Sequence, residues 1–146
     1  VLDKVSNRPD LRFYLPVDAV VGFGAADSDH IRNVPIDHVP SGWRILDIGP
    51  ATIELFRSAL APMQTVVWNG PLGLFEREPF HHGSLATAKM LAELDATVVV
   101  GGGETAAVVQ RAGIPDQISH ISTGGGASLA MLQGKPLPAV EALNNL

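Results

Sequence analysis

No cysteine occurs among the 146 residues, so the chain can form no disulfide and offers no thiolate to a metal. Aromatic residues are scarce at 5%, and ten Lys and Arg stand against fifteen Asp and Glu, a net charge of −5 with no basic run. Nucleic acid, which is held by clustered cations and stacking rings, is therefore not an expected partner. No apolar stretch approaches the roughly 20 residues of a membrane span. The opening Val1-Leu2-Asp3-Lys4 shows neither the basic nor the apolar region of a signal peptide, so no membrane partner and a cytoplasmic location are expected. What is present is a 46% apolar content over a length that suits one domain with a real core.

Two triple-glycine tracts, Gly101–Gly103 and Gly124–Gly126, are the most informative feature. Each follows a strand-like run, Thr97–Val100 or His120–Thr123, and each leads into a helical pattern. A helix start offers unpaired N–H groups and the positive end of the macrodipole, and glycine lets a ligand approach that backbone closely. Two such turns in one chain point to phosphate chemistry.

Apolar runs alternate with helical spacings, which predicts an α/β fold: a Rossmann-like, three-layer parallel sheet flanked by helices. The expected strands are Arg12–Val21, Arg44–Ile48, Thr65–Trp68, Ala96–Val100 and Gln117–Ser122. Expected helices begin at Gly49-Pro50, with Ile53, Phe56 and Leu60 on the buried face, and run from about Gly83 to Leu94 and from Thr105 to a stop at Gly113. Two more are expected over Ala127–Leu132 and Pro138–Leu143. The polar stretch Gly22–Gly42 breaks the rhythm and reads as a small hairpin excursion beside the main sheet.

Several motifs fail on inspection. Gly22-Phe23-Gly24-Ala25-Ala26-Asp27 opens like a dinucleotide fingerprint, but Asp27 takes the third glycine's place and no amphipathic helix follows. Gly134-Lys135 lacks both the hydroxyl residue and the first glycine of a Walker loop. The pair His81-His82 has no metal-ligand neighbours and reads as a surface helix start, and His120 reads as a strand-end histidine.

Four segments survive as turns at the ends of predicted strands: Asp47–Thr52, Trp68–Gly73, Gly101–Thr105 and Ser122–Ser128. Ligands of open parallel sheets bind outside the carboxyl ends of the strands, so all four are expected on one rim. There Asn69 and Thr105 can bond phosphate oxygens, and Glu104 can hold Mg2+ through oxygen. Glu76 can accept ribose hydroxyls, and Pro71, Gly73 and Leu74 offer a flat apolar strip to an adenine face.

These residues carry a resemblance. Trp68-Asn69-Gly70-Pro71-Leu72-Gly73-Leu74-Phe75-Glu76 closely resembles the nucleotide-site segment of the phosphoglycerate kinase family, and Phe80-His81-His82-Gly83-Ser84 is similar to the elements that follow it. Gly101–Thr105 and Ser119–Ser128 resemble that family's two phosphate-facing loops. Leu15–Asp18, Asp47–Pro50 and Leu137–Leu143 match in order, and the likeness runs from about Leu11 to the end. It implies that residues 1–146 are the carboxy-terminal, nucleotide-binding portion of such a kinase, incomplete on its amino-terminal side. The implied reaction is Mg2+-dependent phosphoryl transfer between 1,3-bisphosphoglycerate and ADP, giving 3-phosphoglycerate and ATP. By the same likeness, Ile45 and Leu46 border the adenine slot with Pro71, Gly73 and Leu74, and Glu76 meets ribose. Gly102, Gly103 and Thr105 meet the nucleotide phosphates, Glu104 is the metal ligand, and the amides of Gly102, Gly103, Gly125 and Gly126 face the phosphoryl in flight.

Two departures bear on affinity. Glu104 stands where the family has aspartate, and the extra methylene shifts a metal-binding carboxylate by about an ångström. Ile45 stands where glycine is frequent, which narrows the adenine slot. The resemblance covers roughly the last third of the family's chain. The phosphoglycerate-binding domain and the lysine-bearing segment that opens the nucleotide domain have no counterpart here, and Lys4, Lys89 and Lys135 lie in no matching motif. The expectation is that the full-length kinase is a monomer. This chain alone is expected to be catalytically incomplete, and to be marginally stable or to self-associate through unpartnered Val140, Leu143 and Leu146; the alternative reading is a non-catalytic nucleotide-binding or interaction fragment derived from the same fold.

Overall fold

A computed structural model describes residues 8–24 and 30–144. The strands are β1 (Asp18–Gly22), β2 (Ile31–Pro35), β3 (Arg44–Ile48), β4 (Thr65–Asn69), β5 (Thr97–Gly101) and β6 (His120–Ser122). The helices are α1 (Pro50–Leu60), α2 (His82–Ala92), α3 (Gly103–Ala112), α4 (Gly125–Leu132) and α5 (Pro138–Asn144).

The strands form two three-stranded sheets. β4, β5 and β6 are parallel in that order, joined by α2 and α3. This is the expected helix-flanked parallel sheet, but it holds only three strands. β1 and β3 do not join it: β1 pairs antiparallel with β2 on one side and with β3 on the other. The excursion after Gly22 does return as a hairpin, because β2 folds back on β1 from Ile31 to Pro35. Residues 25–29, which hold the broken fingerprint's Asp27, lie outside the described residues, as do Lys4 and Leu146.

Alternation decides which face of the parallel sheet is buried. Val66 and Trp68 of β4 and Val98 and Val100 of β5 point to one side and meet Ala88, Met90 and Leu91 of α2 and Val108 and Val109 of α3. The other side carries Val67, 40% exposed, and is closed only in part by α4. Parallel sheets are normally covered on both faces, so this half-open face is an unusual surface.

Several expected boundaries move for local reasons. Arg12–Pro16 is not strand: Phe13, Tyr14 and Leu15 are exposed, and strand structure begins at Asp18, after Pro16, which has no N–H to give a ladder. Gln117 closes a short 3-10 turn over Pro115–Gln117, so the last strand starts at His120. In α1 the fully buried residue is Thr52, while Ile53, Phe56 and Leu60 are only partly covered. Gly113 ends α3 as expected, in the left-handed region at φ 72°.

Candidate functional site

Every helix start presents N–H groups that need acceptors. None of α1 to α4 carries a side-chain cap of its own at the N-cap position, so each must be served from elsewhere. How each is served separates the four into two classes.

The first two are plugged by buried carboxylates from the antiparallel sheet. Asp18 of β1 accepts from the amides of Ala51 at 3.0 Å and Thr52 at 2.7 Å, the first turn of α1. Thr52 Oγ1 donates to Asp18 Oδ1 at 2.6 Å, and Asn33 Nδ2 donates to Oδ2 at 3.2 Å. Burial opposes the charge on Asp18, but these donors together outweigh it and hold the carboxyl below its ordinary range. Asp47 of β3 does the same for α2, taking Gly83 N–H on Oδ2 and Ile48 N–H on Oδ1, both at 2.8 Å. Here burial prevails over the two amides and the nearby His82, and the Asp47 carboxyl is pushed up to about 6.

The starts of α3 and α4 have no such plug among the described residues. They lie against each other. Gly102, at φ 98°, gives its N–H to Ser122 O at 2.8 Å, and a Cβ placed on Gly125 would stand 2.9 Å from Gly102 Cα. Asn69, at the end of β4, reaches across both: its Nδ2 donates to Gly125 O at 3.4 Å and packs on Gly101. Behind them Thr105 is buried and its hydroxyl accepts the Gly70 N–H at 2.8 Å, so it braces the Asn69 turn. Ser128 Oγ donates to Ser122 Oγ at 2.9 Å within the second tract.

Three of the four expected rim segments therefore meet: the turn after Asn69 and the two glycine tracts. Asp47–Thr52 does not join them, because its helix start is filled by Asp18 and its strand belongs to the other sheet. Glu104 lies exposed in the first turn of α3, and among the described residues nothing is bonded to its carboxylate. No group of three or more His, Asp or Glu able to hold a metal occurs among the described residues. A lone carboxylate beside open amides still suits Mg2+, which commonly takes one or two protein oxygens and completes its shell with phosphate and water.

Ile45, Leu46, Gly73 and Leu74 line a cleft of about 340 Å³, floored by Asp47 and Ile48. Leu74 N–H donates to Leu46 O at 2.8 Å, tying its walls together, and Ile45 stands 55% exposed at the mouth. Pro71 is half-buried but does not line the cleft. Glu76 is exposed on the adjoining turn, which Arg111 holds by donating Nη1 to Phe75 O at 2.9 Å.

The expected surface histidine pair is split. His82 is exposed, whereas His81 is buried with its Nδ1 unpartnered. Burial, then Arg111 and His82, lower the pKa of His81. Sequence reading placed Asp18, Asp47, Thr52 and Ser84 within motifs but did not see that they fill or brace helix starts. The signal was available: an acidic residue inside an apolar strand, opposite a helix that begins Gly49-Pro50 or His82-Gly83 with no capping side chain of its own.

Comparison with known proteins then places the chain. The family model described as Phosphoglycerate kinase matches residues 2–135. A curated phosphoglycerate kinase of Pelotomaculum thermopropionicum is 53% identical over 134 residues, covering 92% of this chain and 34% of that protein. One from Campylobacter hominis is 52% identical over 140 residues, covering 96% and 35%. Among solved structures, phosphoglycerate kinase from Coxiella burnetii superposes with a TM-score of 0.88 at 38% identity, over 96% of this chain and 36% of that one. That from Pyrococcus horikoshii gives 0.75 at 37% identity, over 88% and 32%. The chain thus spans about a third of the length of the relatives it matches.

Proposed function

Because the chain belongs to the phosphoglycerate kinase family, we propose that it forms the nucleotide-binding part of an enzyme moving a phosphoryl group between 1,3-bisphosphoglycerate and ADP. The observation that carries this reading is the pair of uncapped helix starts, α3 and α4, facing each other beside Asn69. The nucleotide extends from the cleft to the tracts, with its base between Ile45, Leu46, Gly73 and Leu74 and its ribose toward Glu76. Its phosphates lie on the open amides of the first turn of α3, from Gly103 onward, beside Thr105. The amides of Gly103, Gly125 and Gly126 face the phosphoryl being transferred, where fixed dipoles stabilise charge on its equatorial oxygens without reorganising. The Gly102 amide, expected among them, does not join them because it already donates to Ser122 O.

Glu104 is the residue that would hold Mg2+, which when bound supplies charge neutralisation across the phosphate oxygens. Its longer side chain keeps one carboxylate within reach of phosphates on the α3 amides. No lysine or arginine stands among the described residues that line the cleft or the two tracts. We therefore assign the phosphoglycerate and the missing cationic groups to the remaining two thirds of the parent protein. This chain alone binds nucleotide without turnover, and its half-open sheet face makes it self-associate. Among the described residues no helix is long and apolar enough to cross a membrane, and the parent is read as a monomeric cytoplasmic enzyme of glycolysis.

Calorimetric titration with Mg–ADP tests the reading, repeated with Glu104→Asp and Glu104→Gln. Saturable one-to-one binding is expected, with Glu104→Gln losing the Mg2+ dependence and Glu104→Asp keeping it. No binding to a demonstrably folded sample would sink the assignment for this chain.

A further inference from the structure

Asp47 touches three pieces of backbone at once. It lies on β3, it holds the first turn of α2 through Gly83 N–H, and it lies against Gly73 in the loop that forms the other cleft wall. A Cβ on Gly73 or Gly83 would overlap its carboxylate, so both glycines are packed directly on it. The start of α2 in turn grips that loop, because Ser84 Oγ accepts Leu72 N–H at 2.7 Å and donates to Leu72 O at 2.6 Å. The β3 wall and the Gly73 wall are thus joined twice, directly by the Leu74 N–H to Leu46 O bond and again through Asp47, a side chain that is 2% exposed.

We propose that Asp47 is a positioning residue of the base cleft, fixing, together with the Leu74–Leu46 backbone bond, the spacing between β3 and the Gly73–Leu74 wall while leaving the phosphate rim to independent supports. This rests on the nucleotide reading above. The independence follows from the bonds: the rim is held by Asn69 to Gly125, Gly102 to Ser122 and Thr105 to Gly70, none of which passes through Asp47. Asparagine at position 47 has nearly the volume of aspartate but only one acceptor oxygen. Its NH2 group must face either the Ile48 or the Gly83 N–H, and the Gly83 bond, which crosses to another element, is the one free to part.

The test compares ADP with pyrophosphate, a probe that reaches only the rim, on the full 146-residue chain and its Asp47→Asn variant. Expected is an ADP dissociation constant raised about tenfold or more, as for one lost hydrogen bond, with pyrophosphate changed by less than about twofold. Equal loss of both ligands, or no loss of either, overturns the proposal. A second measurement needs only wild type: ADP should slow amide exchange at Gly83 and Leu74, and pyrophosphate should not. Protection by ADP at Gly103 with none at Gly83 also overturns it. Wild type that binds neither probe defeats the nucleotide reading itself and takes this inference with it.

Discussion

Alanine at Gly125 places a methyl carbon 2.9 Å from Gly102 Cα and 3.2 Å from Gly102 N, with Asn69 Nδ2 at 3.4 Å. Ordinary contact begins at 3.4 Å, so the two tracts must part by about half an ångström, and the near neighbours are backbone that cannot rotate away. Overpacking of this kind costs about 1–3 kcal/mol. Gly103→Ala and Gly126→Ala are the controls, since a Cβ there meets nothing within 4 Å and both positions also lie in the first turn of a helix. All three variants share the propensity gain of alanine over glycine, up to about 1 kcal/mol, which cancels on comparison. The expected result is that Gly125→Ala melts below Gly103→Ala by roughly 3–9 °C, at about 3 °C per kcal/mol for a chain of this size. Far-UV circular dichroism melts give the ordering, and ADP titration of the same samples should show Gly125→Ala the weaker binder. If Gly125→Ala melts with or above Gly103→Ala, the tracts do not touch in solution and the shared phosphate rim is wrong.

Three further outcomes follow from the plugged helix starts. Thr52→Val keeps the shape but removes the acceptor of the Val17 and Asp18 amides, at 3.0 and 3.1 Å, and a donor to Asp18; a loss of about 2–5 kcal/mol in urea unfolding is expected. Asp18 is held below its ordinary pKa, so its stabilisation is present above the unfolded value of 3.8 and is lost as pH falls through the folded one. Wild type should therefore lose stability on acidification that Asp18→Asn does not lose, and parallel acid limbs would contradict this. Asp47 has the opposite sign: raised from 3.8 to about 6, its contribution is full below the unfolded value and fades as pH rises through 6. Between pH 4 and 7 the stability difference should move toward Asp47→Asn by on the order of 3 kcal/mol, and a difference independent of pH would refute the burial of the charge.

The parts of the fold that were legible are those whose cause is local. The Gly113 stop, the run Thr65–Trp68 and the handover from Val100 into the first glycine tract depend on neighbouring residues, and they stand within a residue or two of expectation. Pairing partners do not announce themselves in this way. Arg44–Ile48, with three apolar residues between and beside Arg44 and Asp47, suits a parallel strand as well as the antiparallel one it forms, and only its contact with β1 decides. The plugs escaped for the same reason, since Asp18 and Thr52 stand 34 positions apart and Asp47 and Gly83 stand 36 apart. His81 looked exposed because its burial depends on tertiary packing; of the charges it feels, Arg111 comes from another helix, 30 positions away.

The two carboxylate plugs also settle where free anions can go. An anion tethered inside the fold competes at an effective concentration far above that of any dissolved phosphate. Asp18 and Asp47 thereby retire two of the four starts of α1 to α4 from circulation. Of the starts of α1 to α4, those of α3 and α4 are the ones that no carboxylate of the chain fills among the described residues, and they are where the proposed polyphosphate would lie.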